Sequence, residues 1–268
     1  MDLIFDYINI DESLKNRVCT LYSKSSAKIN TLADNCFGKG FGILNSYDDL
    51  TRLAVVLQCA EAAKEKYDSL GINGKIFADT MSDINIWCEN NGNKGLKNSD
   101  WLKNHVSFEL FRIGRLQYQF FKCTVKRLNY RHLPLNYGDN VIYVHIPQGE
   151  KLIYSECVNS LKDAVVFFEK YFPQYHYDFF FSESWLLYGE NWRFMEPSSN
   201  ILQFASLFDI VYSYPVDAQA VERIFGKRKL LKKNYPENTS LQKSAKKFML
   251  DGGKLGAGVG IIAKSDFI

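Results

Sequence analysis

The sequence predicts an α/β fold, a helical N-terminal region followed by a mixed sheet flanked by helices, and three observations carry that expectation. Over the first hundred or so residues the apolar positions recur at helical spacing. From Glu109 onward, runs of aromatic and β-branched residues alternate with amphipathic stretches. Between Val141 and Leu187 a strand, a helix and a strand follow one another, and such a βαβ unit demands a parallel pair with a right-handed crossover. The composition allows a packed core: of 268 residues, 46% are hydrophobic and 24% charged, which excludes wholesale disorder. Two domains are expected, residues 1–108 and 109–268.

In the helical region the clearest element runs from Asp49 to Leu70. Ser46 and Asp48 precede it, Leu50, Leu53, Ala54, Leu57, Ala60 and Ala63 form its stripe, and Gly71 stops it. A second helix is expected from about Thr80 to Glu89, broken by Asn90-Asn91-Gly92-Asn93. A third is short, with Ser99 placed to cap Asp100 to Val106. Glu109 to Val125 has no helical stripe and predicts one long strand, with Arg115 and Gln117 on one face and Arg112 and Gly114 on the other. Arg131 to Asp139, holding Pro134 and Gly138, is a turn-rich break. Val141 to Ile146 predicts a short strand, Tyr154 to Tyr171 an amphipathic helix and Tyr177 to Leu187 another strand. The alternation continues with a helix over Ser199 to Leu207, a strand over Asp209 to Tyr214, helices over Ala218 to Phe225 and Ser240 to Leu250, and a last strand over Leu255 to Ala263.

Several function classes are disfavoured by what is missing. The six cysteines are widely spaced with no CxxC pair, so buried free thiols are expected rather than a disulfide framework or a zinc site. The histidines, His105, His132, His145 and His176, are equally scattered, and no metal motif is expected. No apolar run reaches the roughly 18 residues needed to span a bilayer. Asp2 and Asp6 stand where a signal peptide would want positive charge, so a cytoplasmic protein without membrane partners is expected. From Glu222 to Lys254, ten basic residues face three acidic ones, while the whole chain carries only +3. Nucleic acid, membrane phosphates or an anionic cofactor could all meet such a segment, as could plain solvent. With no aromatic residue inside Lys227 to Lys233, nucleic acid ranks low.

Two segments carry candidate chemistry. His145-Ile146-Pro147-Gln148-Gly149-Glu150-Lys151-Leu152 links a strand to a helix, where a glycine permits close approach and helix N–H groups face an anion. Arg112 and Arg115 can clamp a carboxylate or phosphate, or pair with acids inside the protein. Ser184-Trp185-Leu186-Leu187 and Ser199-Asn200-Ile201-Leu202 are explained equally by helix capping and core packing.

FRIGRLQYQ (Phe111 to Gln119), HIPQGEKL (His145 to Leu152), SWLL (Ser184 to Leu187), SNILQF (Ser199 to Phe204), TSLQ (Thr239 to Gln242) and GGKLGAGVGII (Gly252 to Ile262) together resemble a family of bacterial acyltransferase-domain proteins. In that family a helical N-acyltransferase domain precedes a GNAT-like domain, and Thr80, Asp83, Ile84, Trp87, Trp101, Leu102 and His105 fit its helical half. The resemblance implies a sheet whose two central parallel strands splay to admit the pantetheine arm of an acyl-CoA, acetyl-CoA being the expected donor. It places Ile146, Gln148, Gly149, Glu150, Lys151 and Asn200 at the cofactor. Ordinary GNAT loops carry a second small residue, whereas this one offers a single glycine and the acidic Glu150. For transfer to an amine of a small molecule or protein, His145 is the first candidate base and Glu183 the alternative, with Ser184 or Tyr212 as acid. Arg112, Arg115, Gln117 and Trp185 are expected to meet the substrate. The other function the resemblance implies is a catalytically silent module that binds CoA or a protein partner.

Overall fold

Local capping chemistry sets where the first helices start. In the computed structural model, which describes residues 2–126, 128–130 and 133–268, Asp11 accepts the Leu14 N–H at 3.0 Å and opens α1 (Glu12–Lys39), which kinks at Ser25. Asp48 accepts the N–H groups of Leu50 and Thr51 at 3.1 and 3.0 Å and opens α2 (Asp49–Ser69). Leu53 to Leu57 are buried without a break, so α2 is the apolar centre of the helical region rather than an amphipathic surface helix. It ends before Gly71, whose φ of +66° suits glycine. α3 (Gly74–Asn90) begins well before the predicted Thr80, because Asn73 accepts the Lys75 N–H at 2.8 Å and supplies the missing cap.

Two expectations nearby are corrected. Ser99 does not cap a helix with its side chain: its hydroxyl is buried with no hydrogen-bond partner among the described residues, and the Asp100 N–H bonds the Asn98 side chain at 2.7 Å. That local bond competes with helix formation, and only the single turn α4 (Lys103–Val106) forms. The long strand from Glu109 to Val125 is a hairpin of β1 (Leu110–Ile113) and β2 (Leu116–Lys122). Ile113 pairs with Leu116 across a two-residue loop, and Gly114 has the positive φ, +62°, that its first position requires. Arg112 therefore stands opposite Gln117 instead of sharing a strand with it in extension.

β3 (Leu128–Tyr130) and β4 (Leu133–Leu135) form a separate antiparallel pair, so the expected break contains a short strand. Arg131 and His132, its first residues, lie outside the described residues. The βαβ unit is present as β5 (Asn140–His145), α5 (Tyr154–Tyr171) and β6 (Phe179–Ser184), with β5 and β6 parallel and Tyr143 opposite Phe181. β6 stops short of the predicted Leu187: the Ser184 hydroxyl accepts the Leu186 N–H and winds Trp185–Leu187 into a 3-10 turn. α6 (Asn200–Ala205), β7 (Asp209–Tyr214), α7 (Ala218–Phe225), α8 (Ser240–Leu250) and β8 (Ala257–Ala263) complete the chain. The last helix-free stretch pairs two residues later than the expected Leu255, and α6 ends two residues before Leu207. The mixed sheet has six strands in the order β1-β2-β5-β6-β8-β7.

The chain divides into two compact units. One holds residues 1–120 with 145–150 and 167–173, the other 121–144, 151–166 and 174–268. In the first, Tyr67, Phe108, Phe111, Phe120, Phe168 and Phe172 meet ring against ring, Phe108 and Phe111 with centroids 5.0 Å apart. These contacts hold Phe108 at a φ of +62°, a conformation costly for an aromatic residue. In the second unit the core gathers Cys123, Leu135, Val141, Phe179, Phe181 and Ile261. All six cysteines are free thiols, five buried and Cys19 partly so. Among the described residues no group of His, Cys, Asp and Glu could hold a metal ion, and no helix is long and apolar enough to cross a membrane.

The glycines of β8 leave space for neighbouring backbone. A Cβ on Gly258 would lie 2.0 Å from the Leu187 carbonyl oxygen, and one on Gly260 would lie 2.8 Å from Phe208 Cβ. Backbone oxygen cannot yield as a flexible side chain does, so Gly258→Ala should destabilise the protein by about 3 kcal/mol. Urea unfolding measures it, and a midpoint equal to that of the parent would refute the packing described.

Candidate functional site

The polar residues of the first unit converge on a buried carboxylate. Asp83 lies in the inward stripe of α3, 4% exposed, and His105 on α4 is fully buried. One Asp83 oxygen, Oδ2, accepts the Trp101 indole N–H at 3.0 Å and bonds His105 Nε2 at 3.1 Å. Gln117 on β2 approaches the same imidazole nitrogen at 3.4 Å. Among the described residues, Asp83 Oδ1 and His105 Nδ1 have no hydrogen-bond partner. Burial would raise the Asp83 pKa, but the bonds and charge of His105 with the Trp101 and Gln117 bonds prevail and bring it down to about 2.

His145 sits on the other side of Trp101. The two rings are edge to face at 4.9 Å, and His145 Nε2 meets Gln119 Oε1 at 2.8 Å. Gln117 and Gln119, two apart on β2, thus serve two different histidines. Half-buried at the end of β5, His145 has its pKa lowered to about 3, by desolvation first and then by the charge of His105, against an opposing pull from Asp83. Its imidazole is neutral throughout the physiological range.

The loop after β5 is held from below by the two arginines. Arg112 donates to the Glu150 carboxylate at 2.9 Å, and Arg115 donates to the Glu150 and Pro147 carbonyls at 2.7 and 3.3 Å. Both arginines are buried, so these described bonds fix the loop's backbone. Gln148 exchanges both amide bonds with Asn90 at 3.1 and 3.2 Å. Gly149 has a φ of +113°, and nothing lies within 4 Å of the position its Cβ would take. Ile146 is half-buried.

The remaining expected residues belong to the second unit. The Tyr143 hydroxyl, its pKa pushed up to about 12 by burial, donates to the Glu183 carbonyl at 2.8 Å and accepts the Glu183 N–H at 3.0 Å. Ser182 Oγ donates to the Val144 carbonyl at 3.0 Å, so past Tyr143 and Phe181 the described bonds between these strands run through side chains. The Glu183 carboxylate is exposed and accepts from the Tyr214 hydroxyl. Tyr212, named from the sequence, is exposed on β7, and its neighbour Tyr214 is the residue that reaches Glu183. Ser184 is spent as a cap, Trp185 is buried with its N–H on Gln219 Oε1 at 2.8 Å, and Asn200 is exposed in the first turn of α6 behind the Ser199 cap. Lys151 is exposed at the approach to α5.

The structure therefore sets His145 beside Gln119 and Trp101, and Gln117 of the expected set beside His105, which bonds Asp83; the sequence alone gives Gln119, Trp101, His105 and Asp83 no role. One signal was available for Asp83: an acid inside the stripe of Phe77, Thr80, Met81 and Ile84 demands buried donors.

Comparisons with known proteins agree with this architecture. Several solved structures resemble the chain. An acyltransferase in complex with decanoyl-CoA and teicoplanin has a TM-score of 0.76 at 18% identity, over 98% of this chain and 86% of that one. An acyltransferase in complex with CoA and 10C-teicoplanin has a TM-score of 0.68 at 20% identity, over 80% of this chain and 66% of that one. A third, with decanoyl-CoA, has a TM-score of 0.66 at 24% identity, over 78% and 64%. The chain thus spans a little under two thirds of two of these proteins, and identities this low establish the shared fold. No curated relative matches the sequence. Residues 4–108 match the N-acyltransferase N-terminal domain and residues 110–262 the GNAT-like C-terminal domain. The chain belongs to the family that joins these two domains.

Proposed function

We propose that the protein is an acyl-CoA-dependent N-acyltransferase that acylates an amine of a small molecule or protein, with His145 as the proton acceptor. The observation that carries this reading is the placement of the His145 imidazole at the end of a strand of the βαβ unit, oriented by Gln119 and Trp101. The loop that follows suits an acyl-CoA. Its glycine leaves the backbone open on one side, and the carboxylate that would repel a pyrophosphate, Glu150, is already paired with Arg112. Ile146, Gln148, Gly149, Glu150 and Lys151 are proposed to line that contact, Asn200 being a more distant candidate in sequence.

When bound, the donor supplies a thioester: a C–N bond forms, the C–S bond breaks, one proton leaves the amine and one returns to the sulfur. His145 takes the amine's proton. So weakly basic an imidazole accepts it as the C–N bond forms rather than beforehand. Asp83 acts at a distance, holding Trp101 and His105 in the arrangement against which His145 rests. Glu183 is the alternative base to His145, and in that reading Tyr214, whose hydroxyl bonds the Glu183 carboxylate, replaces Ser184 and Tyr212 as the proposed acid. Two of the structural relatives hold decanoyl-CoA, one of them with teicoplanin, and a third holds CoA with 10C-teicoplanin. A medium-length acyl chain is therefore proposed ahead of the acetyl group expected from the sequence.

Thermal-shift titration with CoA, acetyl-CoA and decanoyl-CoA tests the reading. At a hundredfold excess over Kd the stabilisation is about 2.7 kcal/mol, a rise of several degrees in melting temperature. The shift should be largest with decanoyl-CoA and lost in Gly149→Trp, while His145→Ala should keep it and lose at least about a hundredfold in turnover. The absence of a shift with every donor up to millimolar concentration sinks the proposal, and binding without transfer to any amine leaves a silent binding module.

The pH dependence follows from the lowered His145 pKa. Because the unfolded chain protonates this residue near its ordinary value of about 6.5 and the folded protein only near 3, the unfolded state binds more protons in between. Stability is complete above about pH 6.5 and declines as the pH falls towards 3. Asp83, lowered in the folded state, adds its own loss only below its ordinary range of about 3.9. His145→Gln should flatten the decline between pH 6.5 and 4, and the His145 ring proton should keep its neutral NMR shift down to pH 4. A ring that titrates near 6.5 contradicts the burial described.

A further inference from the structure

β7 and β8 are antiparallel neighbours, which a short turn can join, yet the chain between them runs from Pro215 to Gly256. This connection contains α7, α8 and, between them, the loop Gly226–Asn234, every residue of which is exposed. Its sequence, GKRKLLKKN, sets two leucines between two groups of cations. Leu230 is 99% exposed and Leu231 50%, while Leu250 at the end of α8 is 54% exposed. The Lys232 ammonium donates to the Met249 carbonyl at 2.8 Å and so ties the loop to the end of α8 that bears Leu250.

Three of the nearby acids are already neutralised, while Glu222 on α7 is exposed. Asp217 pairs with Arg228, Glu237 with Lys246 and Asp251 with Lys247. Lys227, Lys229 and Lys233 make no hydrogen bond or ion pair among the described residues. Tyr235, the aromatic residue beside them, is buried and stacked on Phe225 with centroids 4.3 Å apart, so it offers no ring to a base. A soluble polyanion would be recognised by the lysines and would leave Leu230 in water. A surface that is anionic outside and apolar just beneath takes both at once: the leucines enter the acyl boundary while the lysines stay at the headgroups.

We infer that the loop Gly226–Asn234 is a docking surface for the interface of an anionic lipid bilayer, a peripheral contact and not a span. The inference is independent of the acyl-transfer reading. Its test is flotation of the full-length protein with vesicles of phosphatidylcholine alone and with about 30% phosphatidylglycerol, an anionic content chosen to attract basic residues. The protein should partition at least about tenfold better onto the anionic vesicles. The pair Leu230→Ser with Leu231→Ser should lower that partition about tenfold or more, at unchanged melting temperature. Changing Lys227, Lys229 and Lys233 to Ala should lower it about a hundredfold at low salt. Failure to float with anionic vesicles overturns the inference. So does a leucine variant that floats as well as the parent, because the loop would then be a plain polyanion site, and a duplex oligonucleotide should bind that variant undiminished.

Discussion

A carboxylate buried among apolar side chains must be met by donors, and the site of the first unit is organised around that requirement at Asp83. Left unpaired, the charge would cost several kcal/mol. Asp83 draws the indole N–H of Trp101 and an imidazole nitrogen of His105 to the same oxygen. Those two bonds place an aromatic edge against His145, which has its own partner in Gln119. His145 owes its neutral state first to desolvation, with the charge of His105 acting in the same direction. Replacing the carboxylate would remove the reason for Trp101 to stand where it does.

The same logic governs the loop after β5. Two buried guanidinium groups need acceptors, and in Pro147 to Glu150 they find two carbonyls and one carboxylate. Arg115 thereby holds the loop's backbone, Arg112 takes the Glu150 carboxylate, and Gly149 is left facing open space. Glu150, which read in isolation is an obstacle to phosphate, becomes the counter-charge of Arg112.

In the second unit close packing takes the place of charge. β8 can lie against the turn at Leu187 because Gly258 carries no side chain, and Ser182 and Tyr143 supply hydroxyls where β5 and β6 no longer pair residue for residue. Tyr143 occupies both backbone groups of Glu183, and Tyr214 takes its carboxylate. Glu183 is thus held at three points while remaining exposed.

By itself the sequence determined the elements whose signals are local. The Asp48 cap and apolar run of α2, the amphipathic period of α5, the aromatic run of β6 and the limits of β7, α7 and α8 are all legible, because each depends on residues within a few positions of one another. The parallel pairing of β5 with β6 was legible too, through the chirality of a βαβ connection. What only the tertiary structure decided is which distant polar groups meet. Arg112 and Arg115 fit a substrate clamp on the strand pattern, and they became loop supports because the hairpin at Gly114 and the return of the chain at Glu150 bring donor and acceptor together. Tyr212 and Tyr214 are indistinguishable as letters, and the approach of β6 through β8 selects Tyr214. Asp83, the neighbouring pair Trp101 and His105, and Gln119 lie in three separate stretches of chain, and no local pattern links the three. Their grouping follows from the need to satisfy one buried charge, a need that exists only once the chain has folded around it.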